Sequence, residues 1–90
     1  MSVSLDDIRK DIDAADDAIV PLLVKRMELA AKIGEYKAAR GLPVHDPARE
    51  RAVIGRLTAG MDERTAACVE AVYQTLFGCS RSVQEELRKG

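Results

Sequence analysis

The chain has 90 residues, of which 47% are hydrophobic, 3% aromatic and 32% charged, and its formal net charge is −1. This near-neutral balance argues against general nucleic-acid binding, which needs a basic stripe with stacking aromatics. No run of about 18 apolar residues is present, so we expect no membrane span. A chain of this length forms one domain, placed at residues 1–90, with a marginal core if it stands alone.

The first predicted helix runs from Leu5 to about Arg40. Ser4 is a favourable N-cap, and Gly41 and Pro43 end the helix. Pro21 removes one backbone hydrogen bond and should bend the helix. The apolar repeat nevertheless keeps its phase across the proline, so we expect one continuous helix.

An arginine interrupts the apolar seam of this helix. Arg26 occupies the slot after Leu22 in a 3-4 heptad repeat whose other members are Leu5, Ile8, Ile12, Ala15, Ile19, Leu29, Ile33 and Tyr36. A buried guanidinium costs several kcal/mol unless an anion meets it, and no Asp or Glu holds a neighbouring slot. The missing anion is therefore either a carboxylate from another helix or a ligand.

The length of the first helix predicts an assembly. Thirty-six residues span about 54 Å, whereas a compact domain of 90 residues has a radius of gyration of about 12 Å. The helix must therefore project beyond a compact monomer and carry its apolar seam with it. A partner chain would bury the overhang, so we expect an obligate, two-fold homodimer with interlaced long helices.

Two shorter helices complete the prediction. The second begins at Asp46, an N-cap followed by a proline, and runs to about Thr58 with the apolar residues Val53, Ile54 and Leu57. The third is capped by Asp62 and runs to about Arg88, with a seam of Val69, Val72, Leu76, Ser80, Val83 and Leu87. No strand signal is present, which predicts an all-α fold with three helices per chain, one of them very long.

The two cysteines indicate a reducing compartment. Cys68 and Cys79 lie eleven positions apart in one helical pattern, about 16 Å, which is too far for a disulfide. We therefore expect buried free thiols in a cytoplasmic protein. The charged N-terminal sequence predicts no signal peptide. With one histidine and no Cys/His cluster, we expect neither a metal site nor a cofactor.

Further polar residues fall on predicted apolar faces. Lys37 lies eleven residues after Arg26 and projects within about 20° of it. Ser80 holds a seam slot of the third helix, with Gln84 one turn later. Glu50 lies in line with the apolar side of the second helix, whose first turn also carries Asp46 and Arg49.

Each of these residues has a structural explanation when taken alone. Arg26 could pair with Glu50, Lys37 could extend to water, Ser80 is small enough for a seam, and Gln84 could face solvent. Taken together, so many polar groups on the core faces of a small protein indicate a binding site.

Arg9 stands apart from this set. It precedes Arg26 by seventeen residues, about 25 Å along the helix, so it cannot reach a small ligand held by Arg26 of the same chain. By itself it would be an exposed charge paired with Asp13 at i+4. In an antiparallel dimer, Arg9 of one chain could lie beside Arg26 and Lys37 of the other.

The ordered motifs resemble those of the all-helical chorismate mutases over essentially the whole chain. They are an early arginine, R-x-x-L-A from Arg26, G-x-x-K ending at Lys37, P-V-x-D-x-x-R-E ending at Glu50, and S-x-x-x-Q ending at Gln84. The resemblance implies an intertwined homodimer that converts chorismate into prephenate by an intramolecular [3,3] rearrangement, on the way to phenylalanine and tyrosine. Pro21 and the bulky Phe77 depart from the pattern.

The resemblance also implies roles for the carboxylate-binding residues. Arg9 would reach across from the partner chain to a substrate carboxylate. Arg26, helped by Ser80, would hold a carboxylate by a bidentate pair, and Arg49 would complete the cationic wall.

The remaining roles concern the ether and the ring. Lys37 would contact a carboxylate and the ether oxygen, which Gln84 would bind from the other side. Glu50 and the backbone near Asp46 would take the ring hydroxyl. The catalytic residues would thus be Lys37, Gln84 and Arg26, whereas His45 is expected to be exposed and not catalytic.

Three alternatives stay open. An isochorismate pyruvate-lyase shares the scaffold and the cations, but it resembles this chain less between Asp46 and Glu50. A mutase acting on amino-deoxychorismate is a second alternative. A non-catalytic helical dimer with a regulatory role is the third, and it predicts that replacing Arg26 by alanine is neutral or stabilising.

Overall fold

The computed structural model describes the backbone of residues 3–89 and the side chains of residues 3–88. Its three helices are α1 (Leu5–Arg40), α2 (Pro47–Thr58) and α3 (Glu63–Lys89), and the described backbone contains no strand. The predicted all-α fold with one very long helix is confirmed. None of these helices is both long and apolar enough to cross a membrane.

Local sequence signals set the helix ends. Each helix begins with a side-chain cap that accepts a hydrogen bond from the backbone N–H three residues later. The acceptors are Ser4 Oγ at 3.1 Å, Asp46 Oδ1 at 3.1 Å and Asp62 Oδ1 at 2.7 Å. These side chains satisfy N–H groups that have no partner within the helix. At the other end of α1, Gly41 adopts φ 65°, a left-handed conformation that glycine reaches without a Cβ clash. The helix continues through Pro21 as expected, and a bend there stays a prediction.

Helices α1 and α3 run side by side in the same direction, and α2 packs against α3. Arg26 of α1 contacts Ser80, whereas Gly34, two turns later, faces Gln84 and Leu87 further along α3. A Cβ at Gly34 would lie 3.1 Å from Gln84 Cα and 2.8 Å from Leu87 Cδ1. Because glycine has no side chain, the two helices approach closely here, and Gln84 lies directly against α1.

The buried core is small. Its apolar members are Ala30, Val44, Val53 and Phe77. The molecule measures 60 × 27 × 14 Å with a radius of gyration of 16.9 Å, well above the value of about 12 Å for a compact chain of this length. The overhang predicted for α1 is therefore present, and its seam residues are exposed, from Leu5 at 60% to Ile33 at 49%.

Two predictions about burial on α3 are wrong for the single chain. Cys68 and Cys79 are free but exposed, not buried. Each lies about 180–200° around the helix from Phe77, and Phe77 marks the face that packs on the rest of the chain. Val72, which was assigned to the seam, is also exposed, at 57%. The packed face of α3 is rotated from the predicted seam toward Phe77 and Gln84.

The close approach at Gly34 predicts opposite effects for two glycine substitutions. Gly55→Ala in α2 meets no atom within 4 Å and should stabilise the fold by about 0.5–1 kcal/mol through helix propensity. Gly34→Ala gains the same propensity but presses on the Gln84 backbone, so its free energy of unfolding should fall about 1–3 kcal/mol below that of Gly55→Ala. Urea unfolding of both variants measures the difference, and equal stabilities would contradict the close packing.

The cap at Asp62 predicts a pH-dependent stability. The hydrogen bond from the Thr65 backbone N–H lowers the pKa of Asp62 below its usual 3.8. The cap therefore stabilises the fold fully above the unfolded-state pKa, and this stabilisation is lost as the pH falls through the lowered value. Asp62→Ala should have a lower melting temperature than the wild type at pH 7, with a difference that narrows below pH 3.8. A difference that stays constant over this range would refute the ionic character of the cap.

Candidate active site

A cavity of about 440 Å³ lies between the C-terminal half of α1, the start of α2 and the second half of α3. Its volume is within the range of small-molecule sites, about 300–1,000 Å³. Seven of the eight site residues predicted from the sequence line it, namely Arg26, Lys37, Asp46, Arg49, Glu50, Ser80 and Gln84. The fold therefore brings together polar groups that lie up to 58 positions apart in the sequence.

Among the described side chains, those that hold Arg26 in the cavity wall are neutral. Its Nη1 donates to Ser80 Oγ at 2.7 Å, and its guanidinium lies 5.6 Å from the ring centroids of both Tyr73 and Phe77. The aromatic faces attract the cation but do not neutralise it. The alternative in which Arg26 forms a structural ion pair with Glu50 is wrong, because Glu50 pairs elsewhere.

Lys37 reaches into the cavity and not to bulk water. Its Nζ donates to the backbone carbonyl oxygen of Val44 at 2.9 Å, in the loop between α1 and α2. An ammonium group has three N–H donors, so this bond fixes its position and leaves two donors available. The alternative of a lysine extended to solvent is therefore wrong.

Gln84 has a buried amide oxygen without a partner. Its side chain is buried, and Oε1 makes no hydrogen bond to any described residue. Leaving a buried polar atom unpaired costs about 1–3 kcal/mol, so such an atom in a native fold needs an explanation. Because Gln84 lies against Gly34 of α1, its backbone has little room to move the amide away. Gln84 lines the cavity, but Oε1 itself has almost no exposed surface, and only a hydrogen-bond donor could satisfy this acceptor.

Glu50 lies beside two basic side chains, those of Arg81 and His45. Arg81 Nη1 donates to Glu50 Oε2, and His45 Nε2 lies 3.8 Å from Glu50 Oε1. The His45 side chain is 58% exposed, in agreement with its predicted place on the surface. Arg81 also lines the cavity, and the sequence reasoning missed it. Its position in the sequence could have indicated this, because Arg81 lies three residues before Gln84, and residues with this spacing are neighbours on a helix surface.

The cavity wall has an excess of positive charge. Four cations, Arg26, Lys37, Arg49 and Arg81, face two carboxylates, which leaves a net charge of +2. Asp46 caps α2 and Glu50 binds Arg81, and within the described side chains no carboxylate oxygen lies within 4.0 Å of the other three cations. A partly buried wall with this charge favours a small anion carrying two negative charges.

Arg9 does not join this cavity in its own chain. It is exposed on the N-terminal part of α1, outside the residues that line the wall. The ion pair with Asp13 expected from the i+4 spacing is absent among the described side chains. These residues also contain no group of three or more His, Cys, Asp or Glu side chains placed to hold a metal ion. That the site needs no metal or cofactor stays a prediction.

Comparison with known sequences points to one family. The family model of chorismate mutase type II matches residues 8–85. The chain is 39% identical to the chorismate mutase of Methanocaldococcus jannaschii over 96% of its own length and 89% of that protein. It is 43% identical over 54 residues to the T-protein of Enterobacter agglomerans, and over 53 residues to the bifunctional chorismate mutase/prephenate dehydratase of Aquifex aeolicus.

The matched regions differ greatly in extent. The matches to the T-protein and to the bifunctional protein cover about 60% of this chain but only 14% and 15% of those proteins. A solved structure, a conserved hypothetical protein from Pyrococcus furiosus, superimposes with a TM-score of 0.74 at 33% identity, over 93% of this chain and 99% of that chain. With the family model covering most of its length, the chain belongs to the type II, all-helical chorismate mutase family.

Proposed function

We propose that this protein is a chorismate mutase, which rearranges chorismate to prephenate for phenylalanine and tyrosine biosynthesis. The observation that carries the proposal is the dicationic cavity, in which Arg26, Lys37 and Arg49 have no carboxylate partner among the described side chains. Chorismate is a dicarboxylate with an enolpyruvyl ether, so its charge complements that of the wall. The rearrangement breaks one C–O bond and forms one C–C bond within the substrate, without a nucleophile or proton transfer.

The first task of such an enzyme is to fold the substrate. Arg26, steadied by Ser80, would bind one carboxylate, and Arg49 would complete the cationic wall. Charge-assisted bonds to both carboxylates would hold the enolpyruvyl group over the ring, which brings the reacting carbon atoms together. Glu50 would accept a hydrogen bond from the ring hydroxyl, the backbone near Asp46 would also bind this hydroxyl, and together they would fix the orientation of the ring.

The second task is to stabilise charge in the transition state. Negative charge grows on the ether oxygen as the C–O bond breaks, and Lys37 and Gln84 would donate hydrogen bonds to that oxygen from two sides. Both groups are fixed in advance, Lys37 by the Val44 carbonyl and Gln84 by its close packing on α1. A millionfold acceleration corresponds to about 8 kcal/mol, within reach of a few preorganised, charge-assisted contacts. Gln84 is neutral at any pH, so no protonation is needed for it to donate.

We infer further that the working form is a homodimer with interlaced α1 helices. The single chain exposes 6957 Å², whereas a compact monomer of its 9.8 kDa mass exposes about 5,200 Å². The α1 seam contributes to this exposed surface, since Ile8, Ile12 and Ile19 are each about half exposed. A second copy packed on this seam would bury it and could bring Arg9 to the partner's cavity as a third excess cation. A cytoplasmic location stays a prediction from the free cysteines.

Turnover tests the proposal directly. The purified protein should convert chorismate to prephenate, and it should not release salicylate and pyruvate from isochorismate. Arg26→Ala and Lys37→Ala should each lower kcat/KM by about 100-fold or more, because each removes a charged contact worth about 3 kcal/mol. Arg40→Ala is the matched control: Arg40 lies on the same helix but stacks on Tyr36 outside the cavity, and turnover should stay within about twofold.

Two outcomes would contradict this function. Salicylate and pyruvate formed from isochorismate would identify a lyase. Turnover that stays within a few-fold in both Arg26→Ala and Lys37→Ala, with helicity and melting temperature unchanged, would mean that these cations serve another purpose. A non-catalytic dimer predicts no turnover at all and a neutral or stabilising Arg26→Ala.

Subunit mixing tests the cross-chain position of Arg9. Arg9→Ala and Lys37→Ala homodimers should each be nearly inactive, but a heterodimer of the two would contain one intact site. Random re-association of equal amounts by unfolding and refolding should therefore recover about a quarter of the wild-type activity per chain.

The matched control for mixing uses two residues of the same chain's cavity. Arg26→Ala mixed with Lys37→Ala leaves every site defective, so no activity should return. Recovery in this control, or its absence in the first mixture, would refute the placement of Arg9.

A further inference from the structure

Glu50 is in an unusual position for a carboxylate in an anion-binding cavity. Its side chain is only 19% exposed, and it shares the wall with Arg26, Lys37 and Arg49, which have no carboxylate partner in the described structure. A partly buried carboxylate among cations forms a charge-assisted hydrogen bond with one of them. If Glu50 bound one of these three, it would neutralise a charge that an anionic ligand needs.

Arg81 prevents this in the structure. It projects from α3, across the cavity wall from α2, and its Nη1 binds Glu50 Oε2. The other acid in the wall, Asp46, is engaged by the backbone N–H of Arg49 as the cap of α2. Each acid therefore has a partner of its own. Among the remaining cations, Arg26 donates to the Ser80 hydroxyl and Lys37 to the Val44 carbonyl, both of which are neutral.

We propose that Arg81 is a positioning residue that restrains Glu50, so that Arg26, Lys37 and Arg49 stay free for the two substrate carboxylates. Arg81 occupies Oε2, whereas Oε1 lies 3.8 Å from His45 Nε2, beyond hydrogen-bond distance, and would be the acceptor for the substrate's ring hydroxyl. Arg81 thus acts through Glu50 and not by direct contact with the substrate. The proposal rests on the proposed function of the cavity, whose substrate it takes as a dicarboxylate.

Kinetics of Arg81→Gln test this role. Without its partner, Glu50 should compete with the substrate carboxylates for the free cations of the cavity. KM should therefore rise about tenfold or more, while kcat changes less. Arg81→Lys keeps a cation beside Glu50 and should recover most of the lost affinity. Arg88→Gln removes one positive charge from an exposed position of the same helix, outside the cavity wall, and its KM should stay within about twofold of the wild type.

A double-mutant cycle separates positioning from direct binding. In a Glu50→Gln background the carboxylate that Arg81 restrains is gone, so adding Arg81→Gln should change KM by less than about twofold. The double variant should also bind the substrate more tightly than Arg81→Gln alone. An equal rise in KM with and without Glu50 would mean that Arg81 contacts the substrate or acts through net charge, and would overturn the proposal. An unchanged KM in Arg81→Gln would overturn it as well.

The same cycle can be measured by binding. Calorimetric titration with succinate, a small dicarboxylate, should show the same weakening in Arg81→Gln and the same loss of effect in the Glu50→Gln background. If the wild type failed to turn over chorismate while this coupling was present, the proposed function would fail and the role of Arg81 would stand. Absence of coupling in both kinetics and binding would refute the role of Arg81 even in an active mutase.

Discussion

A permanent cation inside an apolar seam is the constraint around which the cavity is organised. Arg26 is held by a hydroxyl and two aromatic faces, none of which cancels its charge. A protein interior tolerates such a group only if an anion arrives or if the site stays open to water. The surrounding contacts agree with this, since Asp46 and Glu50 are bound by other groups and Lys37 donates to a neutral backbone oxygen.

Much of the fold was predictable because its signals are local. Ser4, Asp46 and Asp62 each cap a helix by a hydrogen bond to a nearby N–H, and such bonds depend on a few adjacent residues. The buried face of α3 was less predictable. Apolar periodicity favoured Val72, which is exposed, because the helix packs through a face that includes Phe77 and Gln84. Polar residues that serve a ligand weaken the hydrophobic pattern that would otherwise reveal the face.

The candidate site was predictable from polar residues in apolar slots, but their partners were not. Their opposite charges allowed an ion pair between Arg26 and Glu50. In the structure, Glu50 instead binds Arg81 and Arg26 binds Ser80. Which side chains meet depends on how α2 and α3 are placed against α1, and helix spacing alone does not encode that placement. Arg9 stays a prediction for a related reason, because its place is defined only relative to a second chain. The family assignment from the ordered motifs is confirmed.

The excess positive charge of the cavity ties the stability of the fold to its occupancy. Arg26, Lys37 and Arg49 have no carboxylate partner among the described side chains, so their charges oppose one another while the cavity is empty. A ligand that satisfies them adds its binding free energy to folding, about 2.7 kcal/mol at a hundredfold excess over Kd. Metabolite supply would then govern the lifetime of the protein as well as its rate, because a chain deprived of substrate opens more often and offers more targets to proteases.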